Sequence, residues 1–98
     1  MVVRCRRQRI MEKSLHTPGY RRFCELLRQV REERGLTQID LADRLGEGQD
    51  FVSKCERGVR RLDVVELRQW CHALGTPFTD FMHLLDAELP SLPKRRRR

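Results

Sequence analysis

Cysteine and histidine carry the most versatile chemistry in this chain, and their spacing decides whether it is used. Cys5, Cys24, Cys55 and Cys71 stand far apart, without the close pair that opens most zinc sites, and His16, His72 and His83 do not complete a ligand set. Four cysteines allow two disulfides by number. Reduced cysteine is, however, among the most buried residue types, and Cys24, Cys55 and Cys71 read as small apolar residues in or near a core. No nucleophile stands with a plausible base, and no glycine loop of the phosphate-binding kind is present. Neither an enzyme nor a cofactor or metal is expected.

What remains is charge. The sequence of 98 residues carries a formal charge of +7, which suggests a polyanionic partner, yet the distribution matters more than the sum. Five basic residues face one acidic residue up to Gly19, eleven face thirteen from Tyr20 to Leu89, and five face none from Pro90 onward. The balance is +4, −2 and +5, so the excess sits in the two ends. A chain of this length has room for one domain and one modest core. The expected division is a basic arm over 1–19, a folded unit over 20–89 and a basic tail over 90–98, in which the KRRRR run binds phosphates without sequence preference or is simply solvated. The basic amino-terminal stretch is not followed by about ten apolar residues, so no membrane role is expected and the cytoplasm is the expected compartment.

The elements that position any site are helical. From Tyr20 to Arg34 the residues Phe23, Leu26, Leu27 and Val30 fall at i, i+3, i+4 and i+7, one stripe of an amphipathic helix that Gly35 ends. Thr37 with Asp40 three residues later makes an N-cap with an acidic first turn, opening a short helix that carries Leu41, Ala42 and Leu45 and stops at Gly46. After Gly46, Glu47 and Gly48 a third helix is expected from Gln49 to about Arg57, with Val52 and Cys55 facing inward and Gly58 as its stop. Asp63 and Glu66 open a fourth, with the stripe Leu67, Trp70, Cys71 and Leu74. Thr76 and Pro77 suit the N-cap and first position of a fifth, carrying Phe78, Phe81, Leu84 and Leu85. No stretch alternates with period two, so the expected class is all-α, a five-helix unit.

Two short helices joined by a three-residue glycine-containing turn meet the requirement of a helix-turn-helix, in which the first helix braces the second against a duplex. The run from Leu27 to Gly75 adds specific motifs: Gly-Leu-Thr-Gln before the second helix, Leu-Ala at Leu41 and Ala42, Leu-Gly at Leu45 and Gly46, Val-Ser-Lys-x-Glu-Arg-Gly from Val52 to Gly58, and a closing Ala-Leu-Gly. The sequence thereby resembles the Cro and phage-repressor helix-turn-helix regulators of the Xre family. That resemblance implies binding of double-stranded DNA, with Gln49, Asp50, Phe51 and Lys54 reading bases in the major groove. Gln can bond adenine in bidentate fashion, Lys can donate to guanine, Asp can accept from cytosine, and a Phe ring can touch a thymine methyl group. For Phe51, packing between helices is an equal alternative. The resemblance further implies phosphate contacts from Thr37 and Gln38 at the start of the second helix, and from Arg57, Arg60 and Arg61 after the third. Arg31 and Glu56 are implied as an internal ion pair fixing the recognition helix to its scaffold.

Some positions depart from the family's usual residues. Gly48 precedes the recognition helix where Ser, Thr or Pro is common, Glu47 and Asp50 bring negative charge toward the duplex, and Ile39 is apolar where a polar residue is usual. Met11-Glu-Lys would be a natural start for such a domain, making Met1 to Ile10 an upstream extension without a role. The expected assembly is a homodimer acting as a transcriptional regulator, a phage-type repressor or a controller of a restriction or toxin operon. An alternative is an antitoxin-like or adaptor protein that binds an unknown protein partner through an apolar surface at Phe78, Phe81, Met82, Leu85, Leu89 and Leu92.

Overall fold

Among the described residues, three helices open on a side chain that caps their first turn, and two close on a glycine in the left-handed conformation. The computed structural model describes residues 17–94, and among them are five α-helices and no strand. They are α1 (Pro18–Glu33), α2 (Gln38–Leu45), α3 (Gln49–Glu56), α4 (Val64–Leu74) and α5 (Phe78–Glu88). Cys5, Met11, His16, the rest of the expected arm before Thr17, and the arginines that end the tail lie outside the described residues.

Helix α1 begins two residues before the expected start at Tyr20, because Thr17 caps it by accepting from the Tyr20 N–H at 3.2 Å and Pro18 fits the first turn. Thr37 and Asp63 open α2 and α4 with reciprocal capping boxes, closed by Asp40 and Glu66 respectively. Gly46 ends α2 at φ 72°, a left-handed conformation that a side chain would strain, and from there the chain turns directly into α3. The start of α5 differs from expectation. Pro77 holds an extended ψ of 137° at the N-cap, so the helix starts at Phe78, and Thr76 makes no cap. Thr76 is committed elsewhere: its N–H bonds to the Cys71 carbonyl to close α4, and its buried hydroxyl accepts from Arg34 Nε at 3.1 Å.

All five helices contribute to one core. Phe23, Leu26, Leu27 and Val30 of α1 meet Leu41 and Ala42 of α2, Val52 and Cys55 of α3, Leu67, Trp70, Cys71 and Leu74 of α4, and Phe81 of α5. Leu27, Leu41, Val52, Cys55, Cys71 and Phe81 are wholly buried, each such aliphatic or aromatic side chain being worth roughly 1.5–3 kcal/mol in transfer from water. Phe81 therefore belongs to the core and not to the apolar partner surface of the alternative reading, and Leu84 on the same helix is 45% exposed. The three described cysteines are buried and free, with burial pushing the thiols of Cys24 and Cys71 up to about 11. No described helix is long and apolar enough to cross a membrane.

Candidate nucleic-acid interface

Helix α3 has two faces fixed by its own sequence. Val52 and Cys55 hold it to the core, which leaves Gln49, Asp50, Lys54 and Arg57 exposed. The face is short, and its polar groups are already in contact. Lys54 Nζ lies 3.1 Å from Asp50 Oδ2, one helical turn away, so the cation and the anion of this face partly cancel. Asp50 sits in the first turn of α3, where the macrodipole favours an anion, and Gly48 supplies no side-chain cap there.

Helix α3 is fixed to α1 by an ion pair with little access to water. Arg31 Nε and Nη2 donate to the two oxygens of Glu56 at 2.6 and 3.1 Å, and the side chains are 9% and 3% exposed. Arg31 Nη1 also donates to the Leu36 carbonyl at 2.8 Å, so the guanidinium spans the α1–α2 connection as well. The hydrogen bonds to Glu56 raise the Arg31 pKa above its already high value. Glu56 closes α3, where a carboxylate opposes the helix dipole, and pairing with Arg31 offsets that cost.

A chain of bonds continues from this pair to the exposed face. Gln38 Nε2 donates to Glu56 Oε1 at 3.0 Å, and Gln38 Oε1 accepts from Gln49 Nε2 at 3.3 Å. Gln38, expected against a phosphate, thus spends its side chain on linking α2 to α3, and Gln49 is oriented before any ligand arrives. Thr37 Oγ1 accepts from the Asp40 N–H at 3.0 Å, and the return bond from the Thr37 N–H to Asp40 holds that carboxyl below its usual range. The first-turn N–H groups of α2 that remain have no intrahelical acceptor, as at any helix start.

The basic residues after α3 are arranged unequally. Arg57 Nε donates to Ser53 Oγ at 3.1 Å, and the side chain is exposed. Arg61 is exposed and its guanidinium lies 4.4 Å from the Tyr20 ring centroid. Arg60 forks onto Glu66 at 2.8 and 3.1 Å and lies 4.8 Å over the ring of Phe51. Phe51 is half-buried, with its centroid 6.1 Å from that of Trp70, so its ring is held between Trp70 and Arg60. Sequence reasoning did not anticipate this clamp. Glu66 was legible as the third residue of a capping box, but nothing in the linear spacing paired it with Arg60 across the loop. The cation–π contact of Arg61, and the Leu62 N–H donating to the Tyr20 hydroxyl at 3.2 Å, tie the same loop to α1.

Two short helices crossing at a three-residue turn, the second buried on one side and polar on the other, define a helix-turn-helix. The sequence pattern of the helix-turn-helix family matches residues 27–81, more than half of the chain. The chain is 35% identical over 54 residues to an uncharacterised HTH-type transcriptional regulator of Sinorhizobium fredii, covering 55% of this chain and 70% of that protein. It is also similar to the solved structure of an XRE-family like protein from Pseudomonas syringae pathovar tomato. That likeness has a TM-score of 0.70 and 40% identity, covering 82% of this chain and 98% of the other. The chain belongs to the XRE-type helix-turn-helix family, a class of DNA-binding transcriptional regulators and not of enzymes.

Proposed function

We propose that this protein binds specific DNA sites as a homodimeric repressor, inserting α3 into the major groove. The observation that carries the reading is the linked set Arg31–Glu56–Gln38–Gln49, which fixes the exposed face of α3 to the scaffold and orients one of its amides in advance. Preorganisation of this kind lowers the entropy cost of a base contact. Gln49 and Lys54 read bases, with Asp50 both restraining Lys54 and favouring a cytosine. Phe51 offers a ring edge to a thymine methyl group. Thr37 and Gln38 set the start of α2 against a phosphate through the backbone, and Arg57, Arg60 and Arg61 meet phosphates on the flank. The basic ends, 1–19 and 90–98, add contacts without sequence preference to the unit at 20–89. This role belongs to the compartment that holds the DNA, the bacterial cytoplasm.

A dimer would read two half-sites about 34 Å apart, one turn of the duplex. Apolar surface for it exists beyond the end of α3, where Val59, Val64 and Val65 are 57%, 67% and 64% exposed. The rival role, capture of a protein partner through α5, has narrower support. Leu84 and Leu92 are open to solvent, but Phe81 is committed to the core.

Selection of bound duplexes from a random library, followed by titration of the selected and a scrambled duplex, tests the reading. Gln49→Ala or Lys54→Ala is expected to cost about 1–3 kcal/mol on the selected site and to relax preference at one or two base pairs. Equal loss on both duplexes for Lys54→Ala, with base preference intact, would make it a phosphate contact. A selected site without two-fold symmetry, with a monomer in light scattering, would rule out the dimer.

A further inference from the structure

A cleft of about 810 Å³ is bounded by the last turn of α2, the outer face of α4 and the start of α5. Its size falls within the range of small-molecule sites. Arg44 reaches in from α2, and Arg68 and His72 stand one turn apart on α4. Leu45, Pro77 and Phe78 supply an apolar wall, Leu45 and Phe78 being half-buried.

The unit carries more acidic than basic residues, and elsewhere Arg22, Arg28, Arg31 and Arg60 each meet a carboxylate. Among the described residues no carboxylate lines the cleft. Arg44 is held in place by donating from Nη1 to the Ala73 carbonyl at 2.9 Å, and its charge also acts on the Asp40 carboxylate one turn earlier on α2. The side chains of Arg68 and His72 make no hydrogen bond or ion pair with the described residues. Two guanidiniums and an imidazole beside an apolar wall suit a ligand with one anionic head and one apolar body.

We infer that this cleft is an effector site for a small amphipathic anion, an acyl carboxylate or an aryl phosphate, and that its occupancy alters the grip of the helix-turn-helix on DNA. The inference rests on the proposed DNA-binding function. Arg44 and Leu45 lie in the final turn of α2, directly before the turn into α3, so a ligand bridging α2 and α4 bears on the element that braces the recognition helix. It does so from the far end of α2, without occupying the exposed face of α3.

The test uses the full ¹⁵N-labelled chain titrated with octanoate, phenyl phosphate, octanol and inorganic phosphate. Octanoate or phenyl phosphate is expected to give saturable shifts at the amides of Leu45, His72, Thr76 and Phe78, and the stronger of the two identifies the head group. Octanol and inorganic phosphate, each lacking one half of the ligand, bind at least tenfold more weakly. Arg68→Gln, at an exposed position, raises the Kd of the better probe about tenfold or more through loss of a charge-assisted hydrogen bond. Saturating probe changes affinity for the selected duplex at least fivefold, the low end of ordinary coupling. Absence of saturable shifts, octanol or inorganic phosphate binding as well as the amphipathic anions, or unchanged DNA affinity at saturation each overturns the inference. Failure to bind DNA with the ligand shifts intact would instead overturn the proposed function.

Discussion

Removing the carboxylate of Glu56 is the most demanding perturbation this structure offers. Glu56 accepts two bonds from Arg31 and one from Gln38, and its side chain is 3% exposed. Glu56→Gln keeps the size of the side chain but leaves the Arg31 guanidinium, 9% exposed, with the neutral Leu36 carbonyl and a neutral amide. Breaking a buried pair from one side costs about 3–5 kcal/mol. Counting three charge-assisted bonds at about 1.5–3 kcal/mol each would give more, but half-buried Gln38 can turn to water, so the lower range applies. A domain of this size holds about 4–12 kcal/mol in total at roughly 0.05–0.15 kcal/mol per residue, so about a quarter or more of its stability is at stake. Trp70, the single tryptophan and 1% exposed, reports unfolding in urea by its fluorescence. The double variant Arg31→Met with Glu56→Leu, which removes both charges, is expected to recover to within about 2 kcal/mol of the parent. A loss below about 1 kcal/mol for Glu56→Gln, with a double-mutant coupling near zero, would refute a structural role for this pair.

Arg60 and Arg61 should separate. Arg61→Ala and Arg57→Ala are expected to weaken binding to all duplexes and lower the salt slope by about one each, whereas Arg60→Ala, whose guanidinium is engaged with Glu66 and Phe51, is expected to change the slope by less and to lower the urea midpoint slightly; binding isotherms at several salt concentrations and urea unfolding decide it. Asp50→Asn frees Lys54 from its partner and is expected to raise affinity for scrambled duplex more than for the selected site, a gain in binding with a loss of discrimination read from the same isotherms. The Arg60 ion pair and the Asp63 N–H hold Glu66 below the usual carboxylate range, so its stabilisation is complete above its unfolded value and is lost as pH falls through the lower folded value. Urea midpoints should accordingly drop below about pH 4, and less steeply in Glu66→Gln. With Cys5 replaced by Ser, the buried thiols of Cys24, Cys55 and Cys71 are expected to resist a thiol reagent at pH 8 until urea unfolds the chain; rapid labelling of the native protein would contradict their burial.

Much of the fold was legible because it is written in local terms. The stripe Phe23, Leu26, Leu27 and Val30, the cap pairs Thr37 with Asp40 and Asp63 with Glu66, and the glycine after α2 all act within a few residues of themselves. The start of α5 was misread because Thr76 has two competing uses. Its preference for an N-cap is a local tendency of about 1 kcal/mol, and it yields to a buried bond with Arg34, which lies far away in sequence. Phe81 and Leu84 share one helical stripe, yet the first is wholly buried and the second is open, since only one side of that stripe meets α1 and α4.

The candidate site divides in the same way. The sequence by itself determined that α3 would bury Val52 and Cys55 and present Gln49, Asp50 and Lys54 together, because helical periodicity distributes neighbours over opposite faces. It also determined the turn that sets α3 against α2, through three residues with two glycines. Only the tertiary structure decided which of these polar groups are already spoken for. The Gln38 amide lies between Glu56 and Gln49, Arg60 lies on Phe51 and Glu66, and Arg44, Arg68 and His72 converge from two helices on a cleft without an acid. Side chains such as Gln and Arg have long reach and several rotamers, so their partners follow from how the helices pack and not from where the residues stand along the chain.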